Sequence, residues 1–236
     1  MAKVYVAPFV AYLVGTTFIS RFDDSTYPIA YSVLVVLIAI GFFILLRSER
    51  NSQSSTSEAA AQPPLFQIHP YVIEGITFGV VGIILWIVLC DLNLEERIAA
   101  YLPEFLRPAE RVSYNPLENF QTDAGKWAFI AFRFFGIAAV VPVAEELFWR
   151  GFLLRWIIDP DWEKVPLGKF TLGSCAIVTF LFTSAHPEWF AAAVYCLIIN
   201  GLLYWRRDLW QCIVAHAVSN ALLAAYVLQY KQWHLW

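Results

Sequence analysis

Glu145-Glu146-Leu147-Phe148-Trp149-Arg150 sets two adjacent carboxylates and a guanidinium inside a run that otherwise reads as membrane. A charge at mid-bilayer depth costs at least about 2.5–3.5 kcal/mol on insertion scales, so an ionisable cluster there points to function by default. The stretch reads as helix. Glu146 and Arg150 stand four residues apart, share a face and can pair, whereas Glu145 lies about 100° around the helix with no partner in this segment. Other apolar segments hold groups that could meet the spare carboxylate. His186 follows Phe182 by four residues and directly precedes Pro187; His216 precedes Asn220 by four. Singly, an intramembrane His or Asn reads equally well as a helix–helix hydrogen bond, worth about 0.6 kcal/mol on average. A glutamate, two histidines and an asparagine together point to hydrolysis. A carboxylate can take a proton from water as general base, and imidazole and amide N–H groups can hold the oxyanion that develops on an attacked carbonyl. Two histidines and a glutamate are also a zinc set. Either way, the chemistry is attack of an activated water on an amide.

The elements that must position these groups are membrane helices. Of 236 residues, 59% are hydrophobic and only 15% charged, against about 25% charged in soluble domains. Val4–Ser20, Pro28–Leu46, Gly75–Cys90, Phe170–Ala185, Trp189–Trp205 and Leu209–Tyr230 contain no Asp, Glu, Lys or Arg, and a span needs about 20 mainly apolar residues. The fold class is therefore all-α, a polytopic transmembrane helical bundle. Seven spans are expected, or eight if the long fourth helix breaks in two. The net charge of −3 and the lack of a basic block exclude a nucleic-acid partner. Cys90, Cys175, Cys196 and Cys212 are scattered without CxxC spacing and read as small buried hydrophobes. Lys3 and the first apolar run mimic a signal peptide, but no A-x-A-like site follows, so the run reads as a retained span.

Along the chain, residues 1–50 read as an N-terminal transmembrane hairpin, its loop at Arg21–Tyr27 and its second helix closed by Arg47, Glu49 and Arg50. Residues 51–66 read as a low-complexity Ser/Ala/Gln/Pro linker. Residues 67–126 hold a third span over Tyr71–Cys90 and a polar external segment in which Ile98–Leu106 could form a short interfacial helix. The core follows over 127–230. Its first helix starts near Trp127 and runs to Ile158, with a kink expected at Pro142. Residues 231–236 form a tail. Arg47/Arg50 and Arg206/Arg207 mark cytoplasmic loops, which makes the N-terminus cytoplasmic. In that topology Glu145 lies toward the inner face and His186 farther out, which a kinked fourth helix or a shortened fifth would reconcile. His69 and His234 read as interfacial.

Glu145-Glu146-xxx-Arg150, Phe182-xxx-His186 and His216-xxx-Asn220, in that order, resemble the CPBP family, the CAAX-protease and bacteriocin-processing intramembrane proteases with the ABI domain. The stretch Leu203–Trp210 before Ala215-His216-Ala217 is similar to the family's turn ahead of its last motif. The resemblance covers about Trp127 to Tyr230. It implies an intramembrane endopeptidase in which Glu145 activates water, His186 positions the water or the scissile carbonyl, and His186, His216 and Asn220 stabilise the oxyanion. Glu146, Arg150 and Phe182 would give structural support. No cofactor is favoured; if the enzyme is metal-dependent, Glu145, His186 and His216 would hold zinc. Implied partners are membrane lipid and a membrane-anchored or lipidated protein or peptide, cut as a CaaX end, a sorting tail, or a bacteriocin or signal segment. Glu188 is a departure beside the second motif and reads as a solvated loop residue rather than an extra acid. The sequence has no GxSxH, GxGD or HExxH site, and its four histidines are too few for a di-iron oxygenase. A membrane scaffold or transporter using the buried Glu/Arg/His cluster is the rival reading. It differs in tolerating loss of Glu145.

Overall fold

The computed structural model describes residues 2–54, 72–99, 101, 103–104, 114–118 and 120–235, which form helices and turns and no strand. Two helices, α1 (Ala2–Ile19) and α2 (Tyr27–Ser54), make the N-terminal hairpin. In its loop, Asp23 accepts hydrogen bonds from the hydroxyls and backbone N–H groups of Ser25 and Thr26. These bonds, the Ser25 hydroxyl foremost, lower the Asp23 carboxyl to about 2. α2 runs on past Arg50 to Ser54, because no Pro or Gly interrupts Asn51–Ser54. The first four residues expected in the linker are thus helical; its remainder, 55–66, and His69 lie outside the described residues.

Next come α3 (Ile73–Asp91) and the short α4 (Leu94–Ala99). The short helix expected at Ile98–Leu106 overlaps α4 at Ile98 and Ala99, and residues 100, 102 and 105–113 lie outside the described residues. The long helical segment begins at Asp123 rather than near Trp127, because Thr122 caps it: its Oγ1 accepts the Gly125 N–H at 3.2 Å. The segment is unbroken over Asp123–Ile158, 36 residues. It comprises α5 (Asp123–Phe135), a π turn (Gly136–Val140), α6 (Val141–Glu146), a second π turn (Leu147–Leu153) and α7 (Leu154–Ile158). Pro142 neither breaks the helix nor makes an eighth span. The wider π turn before it absorbs the missing N–H.

α8 (Leu172–Ser184) has 13 residues, α9 (Trp189–Arg206) 18 and α10 (Leu209–Tyr230) 22. Among the described residues six helices are long and apolar enough to cross a membrane, and α8 is an apolar seventh that is short. The chain is an integral membrane protein. The hairpin between α9 and α10 is tight. Arg207 takes a left-handed turn at φ 53°, and Asp208 caps α10 by accepting the Trp210 N–H at 2.9 Å.

Close approach of α3 to α10 fixes the core. Gly75, Gly79 and Gly82 are buried along α3, a small-residue stripe of the kind that lets membrane helices touch backbone to backbone. A Cβ on Gly79 would fall 2.5 Å from the Ala215 carbonyl oxygen. Ser219 Oγ donates to the Gly79 carbonyl at 2.9 Å, and Gly75 N–H donates to Gln211 Oε1 at 2.8 Å. These contacts seat the face of α10 that bears His216. At one end of the bundle, Tyr5, Trp162 and Leu209 pack together with Phe42, Leu45 and Leu46 from the end of α2. Arg47 and the Arg206/Arg207 pair therefore share that end.

A candidate active site with a closed side and an open side

Depth brings the motifs into register. At 1.5 Å per residue, Glu145 lies about 20 Å from the Ile158 end of its helical segment. α8 starts near the same end, where Phe170 stacks edge-on against Tyr204. It is only about 20 Å long, so His186, just past its last turn, reaches the level of Glu145. Of the two reconciliations open in the sequence, the structure has the shortened helix.

Glu146 and Arg150 are fully buried, at 0% exposure each. Glu146 Oε1 accepts from Arg150 Nη1 at 3.0 Å and from His216 Nδ1 at 2.8 Å. Arg150 also donates through Nε to Asn200 Oδ1 at 3.1 Å and through Nη2 to the Cys196 carbonyl at 3.4 Å, and its guanidinium lies 5.1 Å from the Phe182 ring centre. A buried charge survives only when paired and hydrogen-bonded, and α9 supplies the rest of the shell through Cys196 and Asn200. Asn200 escapes sequence reasoning. Its signal was a polar residue in an apolar run, one helical turn from Cys196.

Glu145 differs from its neighbour. It is half-buried and lines a cavity of about 200 Å³; its Oε2, like that of Glu146, is buried without a hydrogen-bond partner. His186, His216, Asn220 and Phe182 line the same cavity. The structure thus gathers every residue assigned to catalysis, with Phe182 in the wall and Glu146 and Arg150 behind it. Phe182 stacks on the His186 ring at 4.5 Å, and Trp86 meets that ring edge-on at 5.8 Å. The wall also includes residues that were given no part in the site. Glu188 is half-buried there rather than solvated, because Pro187 turns the chain inward. Leu235 in the C-terminal tail folds back onto it, and Arg133 stands twelve residues before Glu145. A cation in the apolar run Trp127–Ala144 was the readable signal for Arg133.

The hydrogen bonds fix both tautomers. His186 Nδ1 lies 2.7 Å from the Phe182 carbonyl oxygen, which can only accept, so Nδ1 carries the proton. His216 Nδ1 likewise donates to the Glu146 carboxylate. Each neutral ring then offers Nε2 as an acceptor; an N–H reaches the cavity from a ring only when it is imidazolium. Asn220 is fixed differently. In the π turn the Val141 N–H bonds to the Gly136 carbonyl, so the same register sets the Ile137 carbonyl against residue 142. That residue is proline and has no N–H. Asn220 Nδ2 donates to the stranded Ile137 oxygen at 2.7 Å. One amide proton is thereby committed and the other remains.

The zinc alternative was tested on the same geometry. Among the described residues no three His, Cys, Asp or Glu side chains are arranged to hold a metal ion. Glu145, His186 and His216 share a cavity without forming a closed ligand set.

No curated protein and no solved structure matches the chain. Residues 127–222, which carry all three motifs, match the family model described as Rce1-like, type II CAAX prenyl endopeptidase Rce1-like. That segment is similar to this family of CAAX prenyl endopeptidases, in agreement with the resemblance of its motifs.

Proposed function

We propose that the protein is an intramembrane endopeptidase that cuts a peptide bond near the C-terminus of a lipid-embedded, prenylated CaaX-type substrate. The observation that carries this reading is the Glu145 carboxylate, its Oε2 unpartnered, in a cavity with His186, His216 and Asn220, one residue from a glutamate whose Oε1 is held by Arg150 and His216. Glu145 takes a proton from the attacking water, and His186 Nε2 accepts a second hydrogen bond from that water. His216, when protonated, and the remaining N–H of Asn220 donate to the oxyanion on the scissile carbonyl. The protonated Glu145 then returns its proton to the leaving amine. The scheme needs no metal. With Arg47 and Arg206/Arg207 taken as cytoplasmic, the N-terminus is cytoplasmic as well.

The test is cleavage of a farnesylated CaaX peptide by protein purified in neutral detergent, for wild type and Glu145→Gln, with and without a chelator. Loss of about 10³-fold or more in kcat for Glu145→Gln, with full activity in chelator, is the expected result. Equal turnover by both proteins would remove Glu145 as base. Chelator-sensitive turnover restored by zinc would replace the scheme with a metal-dependent one.

A further inference from the structure

Arg133, Ile137, Val141 and Glu145 recur every fourth residue along the Asp123–Ile158 segment, and all four line the one cavity. The strip carries the base at one end and a guanidinium at the other. Among the described residues lining the cavity, Arg133 is the one Lys or Arg. Its Nη1 donates to the Tyr27 hydroxyl, and its guanidinium lies 4.9 Å from the Tyr31 ring centre, so α2 fixes the plane of the fork. Twelve residues of helix separate the two Cα atoms by about 18 Å. An extended peptide advances about 3.3 Å per residue, so three residues beyond a carbonyl attacked at Glu145 end about 10 Å along the strip. The two side chains span the remainder.

We propose that Arg133 binds the free C-terminal carboxylate of the substrate peptide and thereby sets the distance from chain end to scissile bond. The proposal rests on the protease reading above and assigns a specificity residue to it. Guanidinium and carboxylate match as a bidentate pair, and a charge-assisted pair of this kind has about twice the strength of a neutral hydrogen bond.

The experiment compares a fluorescent farnesylated CaaX peptide with a free C-terminus against the same peptide ended as an amide. Binding is measured to Glu145→Gln protein in a neutral detergent, which supplies no competing anionic headgroup, and cleavage is measured with Glu145 intact. The acid should bind about tenfold or more tighter than the amide, with the same preference in KM rather than kcat. In Arg133→Gln the acid-to-amide ratio should fall to within about twofold, and in Arg133→Lys it should fall only part of the way, since an ammonium cannot form the fork. A ratio near one with Arg133 present overturns the proposal, as does a ratio that survives Arg133→Gln. Should the Gln variant not fold, an unaltered ratio in the Lys variant overturns it equally. Acid-selective, Arg133-dependent binding without cleavage supports the anchor while removing the protease reading.

Discussion

Glu146 and Glu145 are adjacent on one helix, yet they face two unlike regions. Behind Glu146, Arg150 and His216 hold one carboxylate oxygen, and Asn200 and the Cys196 carbonyl on α9 accept from the guanidinium, with neither charge exposed. In front of Glu145 the helices leave a void, and the wall offers acceptor nitrogens, one amide proton and a distant cation. The closed side fixes its neighbours; the open side is left to react. The link between the two is His216, bonded to Glu146 on one ring nitrogen and facing the cavity with the rest of its ring.

The comparison can be broken from the closed side. Arg150→Met should strand a buried carboxylate and cost about 3–5 kcal/mol of stability, read by thermal unfolding in detergent. A loss under about 1 kcal/mol would mean that this region tolerates an unpaired charge. Gly79→Ala tests whether α3 must touch α10 for the two sides to form. A Cβ would press on backbone, and overpacking of this sort costs about 1–3 kcal/mol, with activity falling as His216 moves. Pro142→Ala sharpens the comparison on the open side alone. An N–H at position 142 competes with Asn220 for the Ile137 carbonyl, so kcat should fall about tenfold with little change in melting temperature. Combining it with Asn220→Ala should then cost little more than Asn220→Ala by itself.

The smallest effect lies outside both sides. The Asp23 carboxyl is depressed on folding, so its contribution to stability is present above the ordinary carboxylate range and is lost as pH falls toward about 2. The melting temperature should therefore decline from pH 4 to pH 2, and Asp23→Asn should flatten that slope.

Much of this was legible in the sequence because the relevant periodicities are local. The i,i+4 pairs at Glu146/Arg150, Phe182/His186 and His216/Asn220 assigned faces, and charge-free runs assigned spans. What was not legible depends on contacts between distant segments or on backbone register. Asn200 matters only because α9 lies against Arg150, and Glu188 only because Pro187 turns it inward. The close approach at Gly75 and Gly79 likewise depends on α10, far away in the chain. At Pro142 sequence rules predict a kink, and only the π register shows how the missing N–H reappears as an anchor for Asn220.

α8 has one more consequence. A bilayer's hydrocarbon core is about 30 Å thick, and a 13-residue helix covers about 20 Å of it. The mismatch of about 10 Å falls at a single helix whose neighbours are of full length, so lipid cannot thin around the whole bundle to meet it. The non-helical His186-Pro187-Glu188 backbone occupies the difference, and at that depth such backbone is stable only where it is shielded by protein or wetted. On the protease reading proposed above, that segment lies where water has to reach the level of Glu145 from an otherwise oily surround.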